Sequence, residues 1–218
     1  MVETMMLDEA TVQAFTTYMK RFPALYTNLA KIVKRYIPSS RPLILDLGAG
    51  PGLLSAELLR QIPEATVIGI DPLEMMVELA REHAKQTEAP SVTVLQGVSE
   101  QIPLKDGSFD GIVSRFSLPY WPQPEQSFRE MHRVLKPRGI VVLEELNKAF
   151  PRWKLELLRL RMRARGAGKG VANYHFEAYP RAHTLLEVHR LFTFTGFEML
   201  ETQGKRNEWR FIVVACKK

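Results

Sequence analysis

The sequence predicts an α/β protein built on a seven-stranded, mostly parallel sheet with helices on both faces and an antiparallel terminal strand. Three observations carry this. Short runs rich in Val, Ile and Leu alternate with stretches whose apolar residues recur at helical spacing, the rhythm of a parallel sheet with right-handed crossovers. The first run, Leu43-Ile44-Leu45-Asp46-Leu47, opens into the glycine loop Gly48-Ala49-Gly50-Pro51-Gly52, which feeds directly into a helical stretch over 53–60. The last two runs, 197–202 and 209–216, are separated only by Gln203-Gly204-Lys205-Arg206-Asn207, so they form a hairpin and one of them opposes the rest.

Composition bounds the class. The 218 residues suit one domain, and 45% hydrophobic with 25% charged residues is ordinary for a soluble globular chain. The N-terminal residues include Glu3, Asp8 and Glu9 with no long apolar run, so no secretory signal is expected, and no segment is long enough to span a bilayer. The single cysteine, Cys216, excludes an internal disulfide and a multi-cysteine zinc site; five scattered histidines assemble no metal site. A cytoplasmic protein, monomeric or homodimeric, is the expectation. The net charge of +6 is unevenly spread: Arg152, Lys154, Arg159, Arg161, Arg163, Arg165 and Lys169 are opposed only by Glu156. Such a run reads as a solvated helix face, or as a contact for an acidic substrate or a membrane surface. Nucleic acid is the weakest partner, because no basic motif is interleaved with aromatics.

The elements follow in order. Val12, Phe15, Met19, Phe22, Leu25, Leu29, Ile32, Val33 and Tyr36 give residues 1–41 a helical apolar face broken near Pro23, a cap from which Tyr18 and Tyr26 reach either core or pocket. Residues 42–146 hold the ligand-binding core. Its second strand, 66–70, ends in Asp71, and Pro72 is read as the first residue of the next helix, with Met75, Met76, Leu79 and Ala80 on its inner side. Strands are expected at 91–97, 109–114 and 140–145, with a helix at 124–135 and a turn at Lys136-Pro137-Arg138-Gly139. Residues 147–181 break the rhythm with the basic helix and Gly166-Ala167-Gly168-Lys169-Gly170; placed after a strand's C-terminal end, they are expected to form a lid beside the ligand crevice. A helix through Leu185, Leu186, Val188, Leu191 and Phe192 precedes the hairpin.

The glycine loop defines the kind of ligand. Glycine lets a ligand approach the backbone, and the helix start offers unpaired N–H groups. The spacing is G-x-G-x-G; the third glycine of the dinucleotide fingerprint would fall on Leu53, so a nicotinamide dehydrogenase is disfavoured. Asp46, two residues before Gly48, repels a pyrophosphate and suits a cationic amino group. Asp71 lies where Rossmann-like folds place the acid that binds ribose hydroxyls, and Met76 is a candidate to flank an adenine.

Four blocks in order, residues 45–52, Gly69-Ile70-Asp71-Pro72, 97–110 and 134–139, resemble the class I S-adenosylmethionine-dependent methyltransferases, in the small-molecule branch that includes ubiquinone and menaquinone biosynthesis. The resemblance spans roughly 42–146. It implies a Rossmann-like fold, S-adenosylmethionine as cofactor and S-adenosylhomocysteine as product. By that similarity Asp46, Gly48, Ala49, Gly50 and Gly52 surround the methionine part of the cofactor, Asp71 with Pro72 holds the ribose, Val98, Ser99 and Glu100 lie beside the adenine, and Ser114, Arg115 and Phe116 line the floor near the sulfonium. The chain departs from the family where Val98 replaces an acidic residue, where Pro119-Tyr120 replaces a frequent histidine pair, and where Arg138 replaces a glycine. The implied chemistry is in-line methyl transfer to a small-molecule acceptor. Tyr120, Tyr174, His175 and Glu145 are candidates for a base, and Tyr120 with Trp121 for shaping the pocket. A protein that binds the cofactor as a sensor, acting through 147–181, is the alternative.

Overall fold

The computed structural model describes residues 9–166, 176–205 and 207–218. A helical hairpin, α1 (Glu9–Met19) and α2 (Pro23–Tyr36), leads into β1 (Leu43–Leu47), α3 (Leu53–Gln61), β2 (Thr66–Asp71), α4 (Glu74–Gln86), β3 (Val92–Gln96) and β4 (Phe109–Arg115). Then come α5 (Pro124–Val134), β5 (Leu135–Leu146), α6 (Arg152–Ala164), α7 (Leu185–Phe194), β6 (Phe197–Gln203) and β7 (Arg210–Lys217). The strand order is β3-β2-β1-β4-β5-β7-β6, and β7 alone runs against its neighbours.

Alternation along each strand splits the core into two layers. Ile44, Val67, Val113, Val142 and Val214 face Leu29 and Val33 of α2 and Leu54 and Leu58 of α3. Leu45, Leu47, Ile112, Val141 and Leu143 face Phe128 and Met131 of α5 and Val188 and Phe192 of α7. Phe192 anchors the second layer edge-on to Phe128 and Phe197, with ring centroids 4.7 and 5.3 Å away; such pairs add about 0.5–1.5 kcal/mol each beyond their burial. By the same alternation Asp46 shares the α2/α3 face with Ile44. It sits near the C-terminal end of β1, where five parallel strands deliver their loops to one edge.

Two boundaries differ from expectation. Pro72 does not open α4, which begins at Glu74. The Asp71 carboxylate accepts the Leu73 amide at 3.0 Å, so a side-chain-closed turn precedes the helix and holds Pro72 in front of it. β5 begins at Leu135 rather than 140: Leu135 pairs with Phe109, the chain makes an excursion over 136–139, and pairing resumes at Ile140 with Gly111. Within that excursion Arg138 holds φ +64°, which explains a glycine preference at this position. Its guanidinium lies 3.9 Å from Glu198, an exposed pair that contributes little. Arg138→Gly is therefore expected to stabilise the fold by roughly 0.5–1 kcal/mol, net of the entropy glycine adds to the unfolded chain. Thermal unfolding should show a rise of about 2 °C.

Candidate active site

A cavity of about 660 Å³ opens at the C-terminal ends of β1, β2 and β4. The glycine loop forms its floor. The Gly48 and Ala49 amides donate to the Ile70 carbonyl at 2.8 and 3.0 Å, and the Gly50 amide donates to Asp71 Oδ2 at 2.9 Å. These bonds fold the loop back over β2 and give Gly48 φ +80° and Gly50 φ +52°.

Two acids face the cavity from the strand ends. Asp46 is buried, with Ser55 donating to Oδ2 at 2.6 Å; burial chiefly, and Asp71 to a lesser degree, push its pKa up to about 7. Asp71 is buried as well, and burial raises its pKa against the Leu73 and Gly50 amides, which lower it. Neither carboxylate has an ion-pair partner among the described residues. Beside them Pro72 and Met76 follow from β2 and α4, while Val98, Ser99 and Glu100 close the side beyond β3. Ser99 Oγ is 2.8 Å from Ser127 Oγ, and Glu100 accepts the Gln123 amide at 3.1 Å, so this wall is held by α5.

Basic and aromatic side chains line the same cavity. Arg115 lies at the end of β4 with its side chain 7% exposed, donating through Nε to Glu144 at 2.7 Å and stacking 4.8 Å from Tyr26 and 4.3 Å from Phe116. Arg210 pairs with the other Glu144 oxygen. Phe116 sits at φ +55°, a strained conformation at the point where the chain leaves β4 for the wall. Tyr120 and Trp121 also line the cavity, with the Arg181 guanidinium 5.6 Å over the Tyr120 ring.

Of the residues singled out from sequence, Asp46, Gly48, Ala49, Gly50, Asp71, Pro72, Met76, Val98, Ser99, Glu100, Arg115, Phe116 and Tyr120 meet in this one cavity. Gly52 does not reach it: a Cβ there would stand 3.0 Å from Ala80 Cβ, so this glycine permits α3 and α4 to approach. Ser114 is fully buried and donates to the Leu47 carbonyl at 2.7 Å, clamping β4 to β1 beneath the floor. Glu145 is outside the wall; its Oε1 accepts the Ser117 and Leu118 amides, both at 3.0 Å, and burial pushes its pKa up to about 8. Of Tyr18 and Tyr26, both packed in the core, Tyr26 also lines the cavity. Tyr174 and His175 lie outside the described residues. Sequence reasoning missed Arg181 and His183, which belong to the wall. His183 is held by its backbone, paired with Asn147 and accepting the Lys148 amide at 3.2 Å; its Nδ1 is buried without a hydrogen-bond partner. Burial, more than any neighbouring charge, lowers its pKa.

The loop geometry separates two glycines. A Cβ on Gly48 would stand 2.5 Å from Ser117 Cβ, whereas a Cβ on Gly50 meets nothing within 4 Å. Gly48→Ala should destabilise the fold by about 2–4 kcal/mol through backbone strain plus displacement of the 116–118 wall, and Gly50→Ala by about 1–2 kcal/mol through strain alone. Chemical denaturation of the two variants checks the order.

The family described as "Methyltransferase domain" matches residues 45–143. A demethylmenaquinone methyltransferase of Lactococcus lactis is 31% identical over 186 residues, covering 80% of this chain and 73% of that protein. One of Listeria welshimeri is 34% identical over 113 residues, 51% of this chain and 48% of its own, so the chain spans about half the length of such relatives. A structure of an S-adenosylmethionine-dependent methyltransferase from Aquifex aeolicus superposes with a TM-score of 0.72 over 96% of this chain and 98% of that one at 20% identity, which shows the fold. The Lactococcus relative, 31% identical and covered over 73% of its length, shows the family: the chain belongs to the class I S-adenosylmethionine-dependent methyltransferases.

Proposed function

We propose that the protein transfers the methyl group of S-adenosylmethionine to a small-molecule acceptor. The observation that carries this reading is the pair of buried carboxylates, Asp46 and Asp71, sharing one cavity with no ion-pair partner among the described residues. Burying an uncompensated carboxylate costs several kcal/mol, and Asp46 answers in the empty chain by holding its proton to about pH 7. A ligand bearing an ammonium group and ribose hydroxyls restores what burial removed. The residues fit such a group: Asp46 and the loop backbone of Gly48, Ala49 and Gly50 toward the amino-acid end, Asp71 toward the ribose, and Met76, Val98, Ser99 and Glu100 around the base. Arg115 and Phe116 complete the wall on the acceptor side, while Gly52 and Ser114 support the floor from outside the cavity.

When bound, the cofactor supplies an electrophilic methyl on a sulfonium. The chain's task is alignment, exclusion of water and, where the nucleophile carries a proton, its removal. We assign that removal to His183. Its imidazole is neutral at pH 7 because burial disfavours the cation, and the residue lines the cavity. Phe116, Leu118, Tyr120 and Trp121 give the wall flat apolar surface, and Arg115 with Arg181 gives it positive charge. This favours an aromatic acceptor with an acidic or electron-rich oxygen. The names of the Lactococcus and Listeria relatives, with demethylmenaquinone as acceptor, point in the same direction.

Calorimetric titration tests the cofactor site. S-adenosylmethionine and S-adenosylhomocysteine should bind at micromolar concentrations, and Asp46→Asn or Asp71→Asn should weaken binding about tenfold or more, about 1.4 kcal/mol. The pH dependence has a definite sign. Below about 7 the empty site holds a proton on Asp46, and a cationic ligand must displace it; affinity therefore falls as the pH drops below about 7, and binding at pH 6 releases a proton, visible as buffer-dependent heat. The same raised pKa means that this group costs the empty fold stability progressively as pH rises from about 4 to about 7. Unchanged affinity in both variants would sink the site assignment.

Turnover tests the base. His183→Gln should lower kcat by about 10²–10⁴ with a hydroxyl acceptor while leaving cofactor affinity unchanged. The wild-type rate should decline as pH falls below the depressed imidazole pKa, and that limb should vanish in the variant. The loss should shrink with acceptors of more acidic hydroxyl. An equal loss for all acceptors would assign His183 to packing instead.

A further inference from the structure

Helix α6 carries two apolar stripes, and the fold uses one. Leu155, Leu158 and Met162 are half-buried, and Met162 packs against the core layer that holds Tyr18 and Met19. Trp153, Leu157 and Leu160 fall at i, i+4 and i+7, a spacing that places them together on the outer face. They are 67%, 42% and 59% exposed, and no residue of α6 is fully buried. Single exposed apolar residues need no explanation, but an aligned trio with a tryptophan at its head does.

The polar residues around that stripe are almost all cationic. Between 152 and 165 the sequence holds Arg152, Lys154, Arg159, Arg161, Arg163 and Arg165 and a single acid, Glu156, and Arg159 lies 3.4 Å from that carboxylate. Lys154 Nζ lies 5.3 Å from the Trp153 ring centroid, at the stripe's edge. A merely solvated helix face accounts for the cations and leaves the exposed Trp153, Leu157 and Leu160 unexplained. A second copy seated on the same stripe accounts for the apolar residues, yet it brings six cations against six. An anionic bilayer satisfies both: apolar side chains enter the headgroup–acyl boundary, the indole suits that boundary, and the cations meet lipid phosphates.

We propose that α6 is a docking surface for an anionic lipid membrane. Its position links docking to the cavity. The helix leaves the C-terminal end of β5 through residues 147–151, at the edge of the sheet where the cavity opens. The Tyr179 hydroxyl donates to the carbonyls of Asn147 and Lys148 at 3.1 and 3.0 Å, tying that loop to the segment that carries Arg181 and His183 into the wall. At its other end, the Arg165 carbonyl accepts Arg21 Nη1 at 3.2 Å, so the helix is braced to the N-terminal hairpin. Docking through the outer stripe therefore sets one side of the cavity rim beside the bilayer, a route for an acceptor that partitions into lipid. The docking stands on α6 itself, and only this route for the acceptor rests on the methyl-transfer reading.

Co-sedimentation of the full chain with vesicles tests it. The protein should bind vesicles of phosphatidylcholine mixed with phosphatidylglycerol, bind pure phosphatidylcholine far less, and dissociate as salt rises. Lys154→Gln with Arg161→Gln should weaken binding about fivefold per cation removed. Trp153→Ser with Leu160→Ser should weaken it at least tenfold; all four side chains are outside the core, so thermal unfolding should stay as in wild type. Three results would each overturn the proposal: no binding to mixed vesicles, equal binding to neutral ones, or a dimer in light scattering that Trp153→Ser with Leu160→Ser dissolves. Calorimetry with S-adenosylmethionine on the same preparation keeps the two readings apart. Cofactor binding without vesicle binding rejects docking alone, and vesicle binding without cofactor binding rejects the proposed function alone.

Discussion

The Gly50 amide donating to the Asp71 carboxylate at 2.9 Å is the bond on which the arrangement of the site depends. With the Gly48 and Ala49 amides on the Ile70 carbonyl, it fastens the loop after β1 to the end of β2. A loop so bent demands left-handed backbone at Gly48 and Gly50 and brings Asp46 and Asp71 into one cavity. One Asp71 oxygen takes Gly50 and the other takes the Leu73 amide ahead of α4. Asp71 thus joins the glycine loop to the start of α4, which couples the two proposed parts of the cofactor site.

The cavity gathers both signs of charge: Asp46 and Asp71 line it together with Arg115, Arg181 and His183, and Tyr26 feels Arg115 and Asp46 alike. Burial makes these charges energetically consequential, because charges out of water are screened weakly. Arg115 and Arg210 share Glu144, and burial holds the neighbouring Glu145 protonated at neutral pH. That cluster keeps a net positive charge beside the cavity. It also holds the strained Phe116 turn, since Glu145 accepts the next two amides and the Phe116 amide donates to the Glu144 carbonyl at 2.8 Å.

What could be read from the sequence was whatever is encoded locally. Seven apolar runs gave the sheet, the hairpin at 197–217 gave the reversed strand, and the interval from Gly48 to Asp71 gave the acid at the end of β2. Pro72 was misplaced because an Asp71 side-chain turn outranks the preference of proline for the first helical position. Gly52 and Ser114 lie within the right motifs, but whether a motif residue faces ligand or packing depends on its neighbours: Ala80 of α4 in one case, the Leu47 carbonyl in the other. Arg181 and His183 left no local mark. They join the wall through a bridge to Asn147 and through the Tyr179 hydroxyl, contacts between segments about 30 residues apart that no periodicity announces.

This difference follows the chemistry. The residues proposed for the cofactor come from consecutive βα units, β1 to β3, whose loops converge because parallel strands share an end. The residues proposed for the acceptor come from α2 through Tyr26, the turn after β4 and the segment at 181–183, brought together only by tertiary packing. A change in one of these remote segments leaves the Gly50–Asp71 bond untouched, whereas a change in the glycine loop disturbs both sets at once. Acceptor choice can therefore vary while the cofactor site stays fixed. The segment that brings His183 to the wall is fastened to the same 147–150 loop from which α6 departs, so a contact made on the outer face of α6 bears mechanically on the part of the site proposed for the acceptor.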